Sequence, residues 1–215
     1  MIQYERRYQI LAILLAMLAG FVDAIGFLEL GGLFVSFMSG NSTRLAVDAL
    51  QGSMIAVQAG SLILLFVLGV VTGSMLTPIA GVRRKVWALA VMSLLLFVAL
   101  FVEWLGLGRL ATGALAMAMG CANTVFQRDG EVSIGVTYMT GTLVKLGQRI
   151  AEALLGGDRT AWLPYLLLWS ALMIGAIAGA AGYAWMGLGS LWFAAIGAGF
   201  LALMAGRIAR GQPAG

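Results

Sequence analysis

Long apolar stretches separated by short polar breaks dominate the chain, and two further stretches are interrupted by polar residues and glycine. A helix that crosses a bilayer needs about 20 mainly apolar residues. Residues 8–28, 54–78, 86–105, 109–127, 162–185 and 188–206 meet that need. Stretches 31–52 and 132–156 are too polar to lie comfortably against lipid. Each carries one copy of a six-residue string: VSFMSG at 35–40 and VTYMTG at 136–141, with a basic residue, Arg44 or Lys145, four positions after its glycine. LAMLAG at 15–20 recurs as LAMAMG at 115–120, and GVVTG at 69–73 recurs as GAIAG at 175–179. The pattern predicts a duplicated all-α integral membrane protein in one membrane domain, 1–215, with repeats at 8–106 and 107–207.

Composition narrows the class. The 215 residues are 61% hydrophobic and 10% charged, against about 25% charged in a soluble domain, and mean hydropathy is +0.99. The 30 glycines let helices approach closely or unwind locally. With no histidine and Cys121 as the lone cysteine, an intrachain disulfide and a multi-cysteine metal site are excluded. No cofactor or metal is expected, no catalytic motif is present, and Cys121 reads as a small buried residue. The net charge of +4 fits cytoplasmic loops rather than nucleic-acid binding. Arg6 and Arg7 before the first apolar run resemble a signal peptide. The LAMLAG repeat makes that run an uncleaved helix of the duplicated fold.

Charge placement chooses between topologies. Six spans with a cytoplasmic N-terminus put eleven basic residues inside and only Arg44 and Arg109 outside; eight spans give nine against four. The positive-inside rule favours six. Three spans per repeat require halves of opposite orientation, the inverted-repeat plan of many secondary transporters. Each motif stretch is then a broken or re-entrant element, reversing at Ser39-Gly40-Asn41 and Thr140-Gly141-Thr142.

Irregular backbone at membrane depth survives where protein buries it or where it lines a wet cavity. Asn41, Ser42, Thr140 and Thr142 are N-cap candidates, so the returning helices would present positive dipole ends near the midplane. With Ser36, Ser39, Gly40, Arg44, Thr137, Gly141 and Lys145, they compose a candidate anion site. The same pattern also fits tight helix packing, with Arg44 paired to Asp48 and Arg149 to Glu152. Asp23, inside the first span, is a candidate ion-coupling carboxylate, or else a helix-to-helix hydrogen bonder or a partner of Arg44. Its repeat mate Asn123 is neutral. The glycine pairs Gly69/Gly73 and Gly175/Gly179 mark close packing, between the halves or at a homodimer face.

GFVDAIGF at 20–27, FVSFMSGN at 34–41 and TYMTGTLVKL at 137–146 resemble the YoaK-like family of bacterial inner-membrane proteins. The resemblance covers essentially the whole chain. It implies a multi-spanning, six-span protein of no established activity. The function expected is a non-enzymatic small-solute transporter suited to an anion or anionic metabolite. A passive anion channel and a non-transporting scaffold or partner subunit are the alternatives. The lipid bilayer and a small solute are the expected partners, and both termini are expected in the cytoplasm.

Overall fold

The computed structural model describes residues 5–80, 83–128 and 131–210. Their helices are α1 (Arg6–Glu29), α2 (Met38–Ala49), α3 (Met54–Ala80), α4 (Arg84–Trp104), α5 (Gly108–Ala122), α6 (Met139–Leu154), α7 (Leu163–Met186) and α8 (Leu191–Arg210). A two-residue antiparallel pair, β1 (Gln127–Arg128) with β2 (Glu131–Val132), follows α5, and a 3-10 turn, Gly187–Ser190, joins α7 to α8. Four segments are long and apolar enough to cross a membrane: Arg6–Glu29, Met54–Met75, Arg84–Trp104 and the 48-residue Leu163–Arg210, which holds both α7 and α8. Helix α5 is shorter than the sequence predicts. It stops at Ala122 because Asn123 caps it, and the Thr124 hydroxyl takes the Cys121 carbonyl at 2.8 Å, competing with helical pairing. Helix α1 stops at paired glycines: Gly31 adopts φ 63° and Gly32 N–H returns to the Phe27 carbonyl at 3.0 Å, a left-handed C-terminal cap.

Glycine sets the two closest helix crossings, and both link the first half of the sequence to the second. On α1 and α7, a β-carbon at Gly20 would overlap the Leu172 carbonyl, one at Gly175 that of Met17, and one at Gly179 that of Phe21. On α3 and α5, a β-carbon at Gly120 would overlap the Phe66 carbonyl, one at Gly69 that of Met117, and one at Gly73 would meet Thr124 and Cys121. Residues match between the two crossings at offsets of 100 on α1/α5 and 106 on α3/α7. The repeated glycines therefore pack inside the chain. Bare backbone contact lets many small dispersion terms add up where no water is available to drive association.

Helix directions follow from paired residues. Helices α1 and α7 run parallel: Gly175 meets Met17, Gly179 meets Phe21, and Tyr183 donates to Glu29 at 2.8 Å. Helices α3 and α5 run parallel, with Leu65 at Gly113, Met117 at Gly69 and Cys121 at Gly73. Helices α4 and α8 run antiparallel: Val86 lies at Gly206, Ser93 donates to the Ala195 carbonyl at 2.9 Å, and the Phe97 and Trp192 rings are 5.6 Å apart. Helix α5 opposes α4, with Cys121 donating to the Ala88 carbonyl at 3.4 Å and Gly108 beside Glu103. Helix α8 folds back on α7, with Ser190 at Gly182. So α1, α4 and α7 point one way, and α3, α5 and α8 the other. Arg6, Arg7, Arg84, Lys85, Arg207 and Arg210 gather at one end of the bundle, where Lys85 sits 4.7 Å over the Tyr8 ring. Glu29 and Glu103 close the opposite end.

Helices α2, α5 and α6 are each shorter than a full crossing: at 12, 15 and 16 residues they span about 18, 22 and 24 Å against a core of about 30 Å, and α5 is prolonged by the turn residues 123–126. Helix α2 folds back along α3, with Leu45 at Gly60.

Candidate functional site: two motif turns on one cavity

Residues 31–37 double back along the last turns of α1. The Phe34 ring lies 4.9 Å from that of Phe27, and Val35 packs into the space beside Gly26. Asp23 Oδ1 accepts the N–H groups of Val35 at 3.1 Å and Ser36 at 2.9 Å. One carboxylate oxygen thus satisfies two buried donors that no helix or sheet could pair. The buried Ser36 hydroxyl lies beside the same carboxylate without a well-aligned hydrogen bond. The chain then reverses. Phe37 adopts φ −83°, ψ 73° and Met38 N–H bonds to the Ser36 carbonyl at 3.0 Å, an inverse γ-turn from which α2 starts.

The second motif repeats the arrangement with different chemistry. Asn123 accepts from the Thr137 hydroxyl at 3.1 Å and donates to the Met119 carbonyl at 2.9 Å. Tyr138 adopts φ −83°, ψ 58°, and Met139 N–H bonds to the Thr137 carbonyl at 2.9 Å. Helix α6 starts there.

The reversals therefore fall at Phe37 and Tyr138, not at the glycine triplets the sequence suggests. The N-caps are these aromatics and carry no side-chain cap. Asn41, Ser42, Thr140 and Thr142 lie inside the helices, which corrects their assignment as caps. A γ-turn completes the reversal within three residues, so the hydroxyls that follow turn to carbonyls four back: Ser42 to Met38 at 2.8 Å and Thr142 to Tyr138 at 3.2 Å. Asn41, fully buried, accepts from Phe34 N–H at 2.9 Å and donates to the Phe34 carbonyl at 2.6 Å. That bidentate clasp pins the descending strand to α2. Gly40 is small because the Phe34 ring lies against it, whereas Gly141 faces open space.

The two turns meet. A cavity of about 340 Å³ lies between them, lined by residues 36–39, residues 137–141 and Phe66. It gathers Ser36, Ser39, Thr137, Thr140 and Gly141 from the sequence-predicted set. Gly40, Asn41, Ser42, Thr142, Arg44 and Lys145 do not line it. Arg44 pairs with Asp48 at 3.2 Å, and Arg149 pairs with Glu152, as the packing alternative expects. Lys145 lines an adjoining pocket of about 130 Å³ with Tyr165 and shares Tyr138 and Gly141 with the central cavity. It has no ion-pair partner among the described residues. Asp23 and Asn123 stand behind the turns rather than in the cavity. Phe66 is the wall that sequence reasoning misses: nothing local marks it, because only the α3–α5 crossing at Gly120 brings it here.

Comparison with known proteins agrees with this architecture. A family model described as "Protein of unknown function (DUF1275)" matches residues 11–204. A UPF0700 transmembrane protein of Rhizobium meliloti (strain 1021) is 35% identical over 196 residues, covering 91% of this chain and 85% of the relative. No solved structure matches. The transmembrane relative and the apolar helices make this a multi-pass membrane protein, and the motif resemblance to the YoaK-like family is consistent with both matches. Matched over nearly its full length, the chain belongs to the DUF1275 family, whose function is unknown.

Proposed function

We propose that the protein crosses the bacterial inner membrane six times, as two inverted three-helix repeats, and carries a small anionic solute through the cavity between the motif turns. The observation that carries this reading is that two helix starts, at Met38 and Met139, open onto one cavity. Helix N-termini carry partial positive charge and favour an anion; the N–H groups of Met38, Gly40 and Met139 are bonded to the Ser36, Phe37 and Thr137 carbonyls, which leaves those of Ser39, Thr140 and Gly141 to face one. Ser39 and Thr140 add hydroxyl donors. Lys145 supplies a cation in the adjoining pocket, and Arg44 is neutralised by Asp48. A cavity of this size suits a small molecule.

Helix directions support the topology. Helices α1, α3, α4, α5, α7 and α8 alternate in direction along the chain, so α1 and α3 are opposed with α2 between them, as are α5 and α7 with α6 between them. Elements α2 and α6 therefore dip in and return, from opposite faces. The basic end of the bundle is the cytoplasmic one by the positive-inside rule, which places both termini inside. Asp23 is the coupling candidate, because a change in its charge bears directly on Val35 and Ser36.

Purified protein in proteoliposomes tests the reading with chloride, formate, acetate and phosphate as probes. At least one should accumulate against its gradient, and Ser39→Val with Thr140→Val should cut that flux roughly tenfold or more, about 1.4 kcal/mol. Flux that only follows the membrane potential would assign a channel. No flux of any anion, or flux indifferent to both substitutions, would leave the scaffold reading.

A further inference from the structure

A second cavity, of about 470 Å³, lies between α1, α7 and the loop 30–37, on the far side of Phe37 from the motif cavity. Its wall is apolar apart from Asp23, and it includes Phe27, Phe34 and Phe37. The three rings form a continuous cluster, with centroids 4.9 Å apart for Phe27 and Phe34 and 5.5 Å for Phe34 and Phe37. Both loop N–H bonds fall on Asp23 Oδ1 and the Ser36 hydroxyl lies beside the same carboxylate, so Oδ2 is the atom with acceptor capacity left for an occupant. Around the mouth stand Leu28, Met173 and Ile177, 44%, 40% and 66% exposed, so the cavity opens sideways onto the apolar belt.

We infer that this cavity binds a lipophilic organic cation, such as a protonated or quaternary amine with an apolar body, that enters from the bilayer. A carboxylate in an apolar chamber repels anions and is wasted on a neutral guest. A hard metal ion needs six or more oxygen ligands, and the lining offers one carboxylate. A cation with a hydrocarbon body matches all three features: charge for Asp23, ring faces for cation–π contact, and bulk for the apolar walls.

The duplicated fold provides an internal control. The residues matching Asp23, Phe27, Phe34 and Phe37 are Asn123, Gln127, Gly135 and Tyr138. The second half supports its own motif turn with an amide and with little of the aromatic cluster. The carboxylate and the Phe27–Phe34 ring pair are thus features of one half only, and beyond holding the Val35 and Ser36 N–H groups they put a charge beside an apolar chamber.

The test uses full-length protein in zwitterionic nanodiscs and radiolabelled benzyltrimethylammonium, with neopentylbenzene, its uncharged carbon isostere, as competitor. Saturable binding of the cation is expected, with little displacement by the isostere. Asp23→Asn keeps an oxygen acceptor for Val35 and Ser36, as Asn123 does for its own loop, yet it should weaken binding roughly tenfold or more. Ala180→Phe, which fills the cavity from α7 and leaves Asp23 untouched, should do the same; it decides the matter alone if Asp23→Asn fails to fold. Binding unchanged by both variants, or displacement by neopentylbenzene as effective as by unlabelled cation, would overturn the inference and leave a cavity for lipid tails.

Discussion

Asp23 Oδ1 accepts the Ser36 backbone N–H at 2.9 Å, and the matching residues of the second half, Asn123 and Thr137, are joined at 3.1 Å through their side chains. One position on α1, and the matching one at the C-terminal cap of α5, therefore anchors the turn from which a short helix starts. The carboxylate reaches backbone and holds two donors; the amide reaches a hydroxyl and holds one. The first turn is accordingly the more sensitive to loss of its anchor.

Asp23→Ala should lower stability by about 1–3 kcal/mol, because the buried N–H groups of Val35 and Ser36 lose their acceptor. Asp23→Asn should cost less than half of that. Unfolding midpoints of the detergent-solubilised variants check the order, and equal losses would show that charge rather than acceptance holds the loop.

The glycine crossings predict a sharp contrast between two alanine substitutions. Gly20→Ala drives a methyl into the Leu172 carbonyl and should destabilise by about 1–3 kcal/mol. Gly147→Ala meets nothing within 4 Å and should be neutral or gain up to about 1 kcal/mol from helix propensity. Thermal unfolding of both variants, compared with the parent, is the measurement.

Arg44→Ala strands the buried Asp48 carboxylate that it pairs with, so it should destabilise by about 1–3 kcal/mol. Adding Asp48→Asn should recover most of the loss, because the uncompensated charge is gone. A double-mutant cycle on the unfolding midpoint reads this directly. Additive losses would mean the pair contributes nothing.

Cysteine labelling distinguishes the topologies. Cys121 is buried and should stay silent toward a membrane-impermeant maleimide. In that background Gln51→Cys should react from outside the inner membrane and Arg159→Cys only from the cytoplasmic side. Labelling of both from the cytoplasm would mean that α2 and α6 cross, giving eight spans.

Much of the architecture was legible before any contact was known. Apolar runs marked α1, α3, α4, α7 and α8 because hydropathy is a local property that each residue contributes on its own. The repeated strings marked the two turns, and the glycine pairs marked where helices come closest, because only a residue without a β-carbon permits that approach. The signal failed where local rules competed. The triplets Ser39-Gly40-Asn41 and Thr140-Gly141-Thr142 looked like the point of reversal, yet the backbone turned two residues before each begins, at Phe37 and Tyr138, where a single γ-turn bond suffices.

The sequence by itself determined a helical, membrane-embedded chain with a repeated string at each of two polar breaks and a carboxylate, Asp23, whose counterpart Asn123 is neutral. Tertiary structure alone decided that the breaks share a cavity, that Phe66 walls it, that Arg44 turns away to Asp48 while Lys145 has no ion-pair partner among the described residues, and that Asp23 borders a chamber lined by Phe27, Phe34 and Phe37. The reason is physical. Hydropathy and turn chemistry are set by neighbours along the chain, whereas each cavity is bounded by residues far apart in sequence, whose meeting depends on how α1 crosses α7 and α3 crosses α5.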